Sequence, residues 1–283
     1  MTTPFQRRTV CALLSVAVSV VLGACAAPSA SEPPPPIRIF AAGSLTGALT
    51  AVAKVYTAQT GQPVQAEFGP AGLMRERIEG GDVPDLFASA NMAHPQKLAD
   101  LGQATPPVVF VRNRLCASAL PAFGLTTANF FDRLMDPATG LGTSTPKADP
   151  GGDYAWLLFA KADRLRPGAQ AMLEAKAQQL VGGKNNPPVP AGQNAMQYWF
   201  TSGRVQLTLG YCSGRQTTPD PFYTKVELPP ELQIKADYGL SVLNAPGKNR
   251  DAAWRFALFL MGPQAQAIVA QYGFTPVGVP AVN

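Results

Sequence analysis

The sequence predicts an α/β protein whose sheet is mostly parallel. Short apolar segments typical of buried strands alternate with segments in which apolar residues recur every three or four positions, as along one face of a helix. Turns rich in glycine separate these segments, and such an alternation favours parallel strands covered by helices. The chain of 283 residues is long enough for two lobes or for one large domain.

The first element, residues 1–24, is typical of a secretory signal peptide. A pair of arginines precedes an apolar run over residues 10–22, and small residues follow it. The Leu-Gly-Ala-Cys sequence at residues 22–25 resembles the lipid-attachment motif of bacterial lipoproteins, which implies cleavage before Cys25 and a lipid on its sulfur. The alternative is an ordinary signal peptide that happens to contain this cysteine.

Residues 25–36 are predicted to form an extended tether. They include four consecutive prolines at positions 33–36 and offer little apolar surface to bury. A lipid on Cys25 would hold the folded body close to a membrane. Since no later segment is apolar and long enough to cross a bilayer, we expect a membrane-anchored lipoprotein whose folded part lies on the periplasmic or cell-envelope side.

The junction between the first strand and the first helix of the folded part is the most informative segment. A buried strand is predicted at 37–42, and Ser44 is placed to act as the N-cap of a helix at 45–59, which Gly61 ends. Such a junction presents a hydroxyl group and unpaired backbone N–H groups at one point, which suits an anion.

The remaining elements follow the same alternation. Further strands are predicted at 64–68, 86–89, 108–112, around 116, and at 141–144, 205–212 and 237–243. Helices are predicted at 73–79, 96–101, 127–135, 153–163, 168–180, 194–201, 250–261 and 263–271. The helix at 153–163 is expected to begin with Asp153 as its N-cap, and the segment 181–192, rich in Gly, Pro and Asn, is expected to be a loop.

Composition and motifs argue against several classes of function. The net charge of +5 is mild and no block of basic residues occurs, so nucleic-acid binding is not expected. His94 is the one histidine, so no histidine-based metal cluster is expected and no cofactor is implied. We expect a protein that is not an enzyme. A secreted hydrolase with Ser44 as nucleophile and His94 as base is the distant alternative.

The cysteines predict one disulfide. Cys11 leaves with the signal peptide and Cys25 is assigned to the lipid, so that Cys116 and Cys212 remain. Both lie in strand-like segments of a chain expected in an oxidising compartment, which predicts a disulfide between them. Two buried free thiols are the alternative.

Four segments, in this order, resemble the molybdate-binding family of periplasmic solute-binding proteins of ABC importers. They are Phe40–Leu45 (FAAGSL), Pro84–Asn91 (PDLFASAN), Asp149–Ala155 (DPGGDYA), and a C-terminal pair at 262–265 and 272–274. The resemblance extends over residues 37–277 and implies a protein that captures an oxyanion and hands it to an inner-membrane ABC permease. We expect the protein to be a monomer.

The family resemblance also implies the architecture. It predicts a two-lobed, type II-like periplasmic binding protein with mixed, mostly parallel sheets and two crossover strands. Lobe 1 would contain residues 37–112 and 236–283, and lobe 2 would contain residues 113–235. The lobes would close on the ligand by a hinge motion.

The resemblance implies five ligand contacts, namely Ser44, Ala71, Gly151, Gln193 and Tyr211. Ser44 and Tyr211 would donate from their hydroxyl groups, and Gly151 and Gln193 from backbone N–H groups. Ala71 stands where the family has a second serine, so that only its N–H can donate. The Gln193 amide or Lys147 could offset this loss. The implied ligand is molybdate or tungstate, and the alternative is another anion or a small organic acid.

Overall fold

The computed structural model describes residues 1–2, 34–214, 222–244 and 249–278. The chain divides into two compact units, Met1–Glu32 and Pro33–Asn283, and the second is the folded body. The predicted signal peptide and the predicted lipidation of Cys25 lie outside the described residues. In the described parts of the chain, no helix is both long and apolar enough to cross a membrane.

The secondary structure of the folded body alternates as predicted. The strands are β1 (Ile37–Ala42), β2 (Val64–Gly69), β3 (Leu86–Ser89), β4 (Val108–Ala119), β5 (Leu141–Ser144), β6 (Ala177–Val181), β7 (Leu207–Tyr211), β8 (Thr224–Glu227), β9 (Lys235–Val242) and β10 (Thr275–Pro276). The helices are α1 (Thr46–Thr60), α2 (Ala71–Glu79), α3 (Ala93–Asp100), α4 (Phe130–Met135), α5 (Pro150–Leu165), α6 (Ala169–Lys176), α7 (Ala195–Thr201), α8 (Arg250–Met261) and α9 (Pro263–Gln271).

The strands form a mixed sheet in the order β2-β1-β3-β9-β4-β7-β5-β6, which confirms the predicted α/β class. β1 is parallel to β2 and β3, and β5 is parallel to β6 and β7. Between these two parallel groups run β9 and β4, which pair antiparallel from Val108–Leu240 to Arg114–Lys235. The two groups are therefore joined through two long neighbouring strands.

Each parallel group has its own hydrophobic core. The first core packs α1, α8 and α9 against β1 and β3, with Phe40, Phe87 and Phe256 almost completely buried. The second packs α4, α5 and α6 against β5 and β7, around Phe130 and Phe159. Burial of aromatic side chains this large supplies much of the stability of a core.

The start of α5 differs from the prediction. The helix begins at Pro150, and Asp149 is its N-cap, with Oδ1 accepting the N–H of Gly151 at 2.8 Å. Proline is favoured in the first position of a helix because it has no N–H to leave unpaired. Asp153 is therefore not the N-cap. Its Oδ1 instead accepts the N–H of Lys147 at 2.8 Å.

Other boundaries are also corrected by the structure. The predicted helix at 168–180 ends at Lys176, because the following residues form β6 and pair with β5. The two strands predicted at 108–112 and around 116 are one strand, β4. A tertiary partner strand outweighs local helix propensity in such segments.

The predicted disulfide is confirmed. Cys116 in β4 and Cys212, which follows β7, are bonded across the antiparallel pair with a Cα–Cα distance of 4.9 Å. The bond ties the longest strand to its neighbour near the place where β7 ends.

Candidate functional site

A cavity of about 320 Å³ lies where the ends of β1 and β2 face the start of α5 and the end of β7. It brings together three of the predicted ligand residues, Ser44, Ala71 and Tyr211. The residues that line it are Ala42, Gly43, Ser44, Gly69, Pro70, Ala71, Ala90, Ser144, Asp149, Pro150, Gly182 and Tyr211. Small residues dominate this lining, so a ligand can approach the backbone closely.

Ser44 lies in a short 3₁₀ turn, Gly43–Leu45, between β1 and α1. The prediction that it caps α1 is wrong, since α1 begins at Thr46 and no side chain caps it. Its hydroxyl group instead lies 2.9 Å from the hydroxyl of Tyr238, which is fully buried in β9. Ser44 is thus held by a strand that joins the two parallel groups, and not by its own helix.

Asn113 in β4 is a second hydrogen-bond partner of the Tyr238 hydroxyl. Its Oδ1 accepts the N–H groups of Arg114 at 2.9 Å and Ser213 at 3.3 Å, which fixes the orientation of the amide. Its Nδ2 therefore donates to the Tyr238 hydroxyl at 3.1 Å. The Tyr238 hydroxyl is therefore held by both Asn113 and Ser44, and this pair of contacts fixes the position of Ser44 at the cavity.

Tyr211, the last residue of β7, supplies the second hydroxyl. Its oxygen is buried and has no hydrogen-bond partner among the described residues. The ring packs edge-on against Tyr238 and Tyr154, at centroid distances of 5.7 and 6.2 Å. Burial raises the pKa of the Tyr211 hydroxyl well above its ordinary value, so the group stays protonated and remains a donor.

Ala71 is the first residue of α2, so the start of this helix faces the cavity. The next N–H, that of Gly72, donates to the carbonyl oxygen of Ala148 at 2.9 Å. A Cβ atom on Gly72 would lie 2.2 Å from the carbonyl oxygen of Lys147, which is closer than any side chain permits. Only glycine allows this approach between α2 and the loop that precedes α5.

Gly151 lies in the first turn of α5, next to two lining residues, but its N–H is already engaged. It donates to the side chain of Asp149 at 2.8 Å, while the N–H of Gly152 donates to the carbonyl oxygen of Asp149 at 2.9 Å. The donors at the start of α5 are therefore occupied by Asp149. Sequence reasoning missed this residue, although the Asp149-Pro150 pair is a recognisable helix start.

Gln193 and Lys147 are not among the residues that line the cavity. Gln193 lies in an exposed turn, where its N–H donates to the carbonyl oxygen of Pro190 at 3.1 Å. Lys147 is in the loop before α5 with a positive φ of 68°, and its N–H is bound by Asp153.

His94 is also absent from the cavity lining, so the alternative of a hydrolase finds no histidine base among the residues around Ser44. Burial lowers the pKa of His94 to about 4, and its Nε2 is buried with no hydrogen-bond partner among the residues that the structure describes. Within residues 34–214, 222–244 and 249–278, no cluster of three or more histidine, cysteine or acidic side chains could hold a metal ion.

Comparisons with known proteins agree on one family. A family model described as bacterial extracellular solute-binding protein matches residues 37–275. An uncharacterized protein of Pasteurella multocida is 37% identical over 211 residues, which are 74% of this chain and 88% of that protein. The molybdate-binding protein ModA of Azotobacter vinelandii is 25% identical over 273 residues, covering 92% of this chain and 96% of that one.

Solved structures share the fold at low identity. The periplasmic molybdate-binding protein of Azotobacter vinelandii has a TM-score of 0.67 at 17% identity and covers 86% of this chain and 99% of its own. The sulfate-binding protein SubI of Mycobacterium tuberculosis also has a TM-score of 0.67, at 19% identity and coverages of 86% and 87%. PEB3 of Campylobacter jejuni, bound to L-phospholactate, has a TM-score of 0.66 at 13% identity and coverages of 85% and 100%.

Proposed function

Because this chain belongs to the bacterial extracellular solute-binding protein family, we propose that it captures an oxyanion in the cavity beside Ser44 and Tyr211 and delivers it to an ABC permease. This function forms and breaks no covalent bond and consists of binding, closure and release of the anion.

The observation that carries this proposal is the buried hydroxyl of Tyr211, which lines the cavity and has no hydrogen-bond partner in the described parts of the chain. A buried donor without an acceptor costs free energy, so such a group is expected to serve a ligand. The Ser44 hydroxyl lines the same cavity and can act as a second donor to a bound anion. No lysine or arginine lines the cavity among the described residues, so an anion would be held by dipoles and hydrogen bonds.

Closure of two lobes on the anion fits the contacts around the cavity. The lobes would be residues 37–112 with 236–283, and residues 113–235, hinged where β4 and β9 pair. Three contacts would then form on closing. These are the Gly72 N–H to Ala148 oxygen bond, the Tyr154 hydroxyl to Ala90 oxygen bond at 3.0 Å, and the Lys184–Glu76 ion pair at 2.7 Å. The ligand must favour the closed form to drive such a motion.

Molybdate or tungstate is the proposed cargo, supported by the ModA relatives that cover most of this chain. A second candidate is another anion or a small organic acid. It is supported by the missing hydroxyl at Ala71 and by the cavity of about 320 Å³, which corresponds to about ten water volumes and exceeds a lone five-atom oxyanion.

We further propose that the protein is a monomeric lipoprotein, anchored through Cys25 after removal of residues 1–24. Mass spectrometry of the protein from a cell envelope would test this, because a chain that begins at a lipid-modified Cys25 is expected. A mature chain that begins elsewhere, or carries no lipid, would contradict the anchor without affecting the cavity.

Calorimetry with molybdate, tungstate, sulfate and phosphate tests the function. Binding of at least one of these anions, with a rise in melting temperature, is expected. The variant Ala71→Ser restores the family's second hydroxyl and should tighten molybdate binding relative to the other anions. If none of the anions binds to the unmodified protein, the assignment of an oxyanion ligand is wrong.

A further inference from the structure

We propose that Asp149 makes anion capture proton-linked, so that one proton lies between the bound anion and the carboxyl group of Asp149. This inference rests on the proposed function, because it concerns the same cavity. The proton can come from solution, which leaves the carboxyl group neutral, or from an anion that carries its own proton, such as hydrogen phosphate.

The position of Asp149 is the first argument. Among the described residues that line the cavity, it is the one side chain with a carboxyl group. Gly182 packs closely against it, since a Cβ atom on Gly182 would lie 2.5 Å from the Cβ of Asp149. The Oδ1 of Asp149 accepts the N–H of Gly151 at 2.8 Å. The carboxyl group thus occupies the N-terminus of α5, where an anion could otherwise bind the free backbone N–H groups.

The second argument is electrostatic. An ionised carboxyl group and an anion in one small cavity repel each other, and neither can donate a hydrogen bond to the other. A single shared proton removes this repulsion and creates a hydrogen bond, as in other close pairs of acidic groups. A neutral carboxyl group is also a weaker acceptor, which would release the N–H of Gly151 for the anion. The Tyr211 hydroxyl, which has no hydrogen-bond partner among the described residues, lines the same cavity.

The described cavity lining contains no positively charged side chain that could balance the charge of Asp149. Burial raises the pKa of Asp149, hydrogen bonds from its neighbours lower it, and the charge of Asp153 raises it. Tyr211 faces it from β7 as a neutral phenol. Burial raises the pKa of Asp153, and the charge of Lys147, in the preceding loop, partly offsets this rise. The corner after β1 and the start of α2 contribute no charged side chain to the described lining.

The test is calorimetry with sodium molybdate, which carries no proton of its own between pH about 6 and about 8, in buffers of different ionisation enthalpy. We expect uptake of one proton per molybdate and an affinity that falls about tenfold for each pH unit. With phosphate, which can bring its own proton, less uptake from the buffer is expected.

The decisive variant is Asp149→Asn. Asparagine keeps the N-cap hydrogen bond, and its amide can donate to an anion without any proton uptake. We therefore expect about tenfold or tighter molybdate binding at the upper end of the pH range, with no dependence on pH. Asp149→Ser, another favourable N-cap, replaces this variant if the asparagine protein does not fold.

Asp153→Asn is the matched control, because it makes the same change of charge in the same helix but lies outside the cavity lining. It should retain the proton uptake. Molybdate binding without proton uptake, or an Asp149→Asn protein with the original pH profile, would overturn this inference and leave the proposed function intact. A protein that binds no anion at any pH would overturn both.

Discussion

Replacement of Tyr211 by phenylalanine should separate binding from stability. The hydroxyl group is buried, lines the cavity and has no partner among the described residues. Its loss should therefore cost nothing in the empty protein, because a buried unpaired hydroxyl is itself unfavourable by about 1–3 kcal/mol. We expect the melting temperature of the empty Tyr211→Phe protein to be unchanged or a few degrees higher.

The same change should weaken binding of the anion. A hydrogen bond to a charged group contributes about 1.5–3 kcal/mol, which corresponds to a loss of affinity of about 10- to 150-fold. Calorimetry with the anion that binds most tightly to the unmodified protein measures this loss, and thermal unfolding followed by circular dichroism measures the stability of the empty protein.

Tyr154→Phe is the matched control, since the Tyr154 ring contacts that of Tyr211 but its hydroxyl is bonded to the carbonyl oxygen of Ala90 at 3.0 Å. Because that bond joins the two proposed lobes and would form on closing, its loss should leave the melting temperature of the empty protein unchanged and weaken anion binding by about 1 kcal/mol, or about fivefold. If Tyr211→Phe weakens binding no more than Tyr154→Phe does, the hydroxyl is not reserved for a ligand.

Three further predictions concern the disulfide, the contact at α2 and the buried histidine. Replacing Cys116 and Cys212 by alanine should lower stability by about 2–5 kcal/mol and the melting temperature by about 10 °C, because the disulfide closes a loop of 96 residues. Equal melting temperatures of the oxidised and reduced protein would contradict this prediction. Gly72→Ala should weaken anion binding by more than about tenfold, because the new Cβ would clash with the carbonyl oxygen of Lys147. The melting temperature of the empty protein should not fall, because alanine favours a helix. An unchanged affinity would show that binding does not need the close contact between α2 and the loop before α5. His94 is held neutral in the folded state, with its pKa lowered from 6.5 to about 4 by burial, so the unfolded chain takes up a proton first on acidification. Stability should therefore fall as the pH drops from about 6.5 to about 4, and His94→Gln should flatten this part of the melting profile.

Much of the fold was predictable because local patterns and global structure agree. β1 and β3 are short, largely apolar segments, β2 alternates apolar and polar residues, and β5 follows a glycine turn, and all four lie where the sequence places them. The prediction failed where a strand is defined by pairing with a distant segment and not by its own residue pattern. The segment 177–181 is strand only because β5 pairs with it, and β8 has so little apolar character that its pairing with β4 alone defines it.

The candidate site was predictable in part. Ser44, Ala71 and Tyr211 were brought together by the family resemblance, and the structure places all three on one cavity. Asp149 was missed because its helix was started three residues too late. Its neighbour Pro150 carried the signal, since a proline after an Asp, Ser, Thr or Asn is a common helix start.

The sequence by itself determined the alternation of strands and helices, the cysteine pair and the first strand–helix junction, because these depend on spacing and residue type along the chain. Only the tertiary structure decided what each polar group does. The partner of Ser44 is Tyr238, 194 residues away, and the Tyr238 hydroxyl is in turn bonded to Asn113 in a third strand. Hydrogen bonds between distant residues leave no periodic trace in a sequence, so these partners, and with them the chemistry of the cavity, become visible only once the strands are packed together.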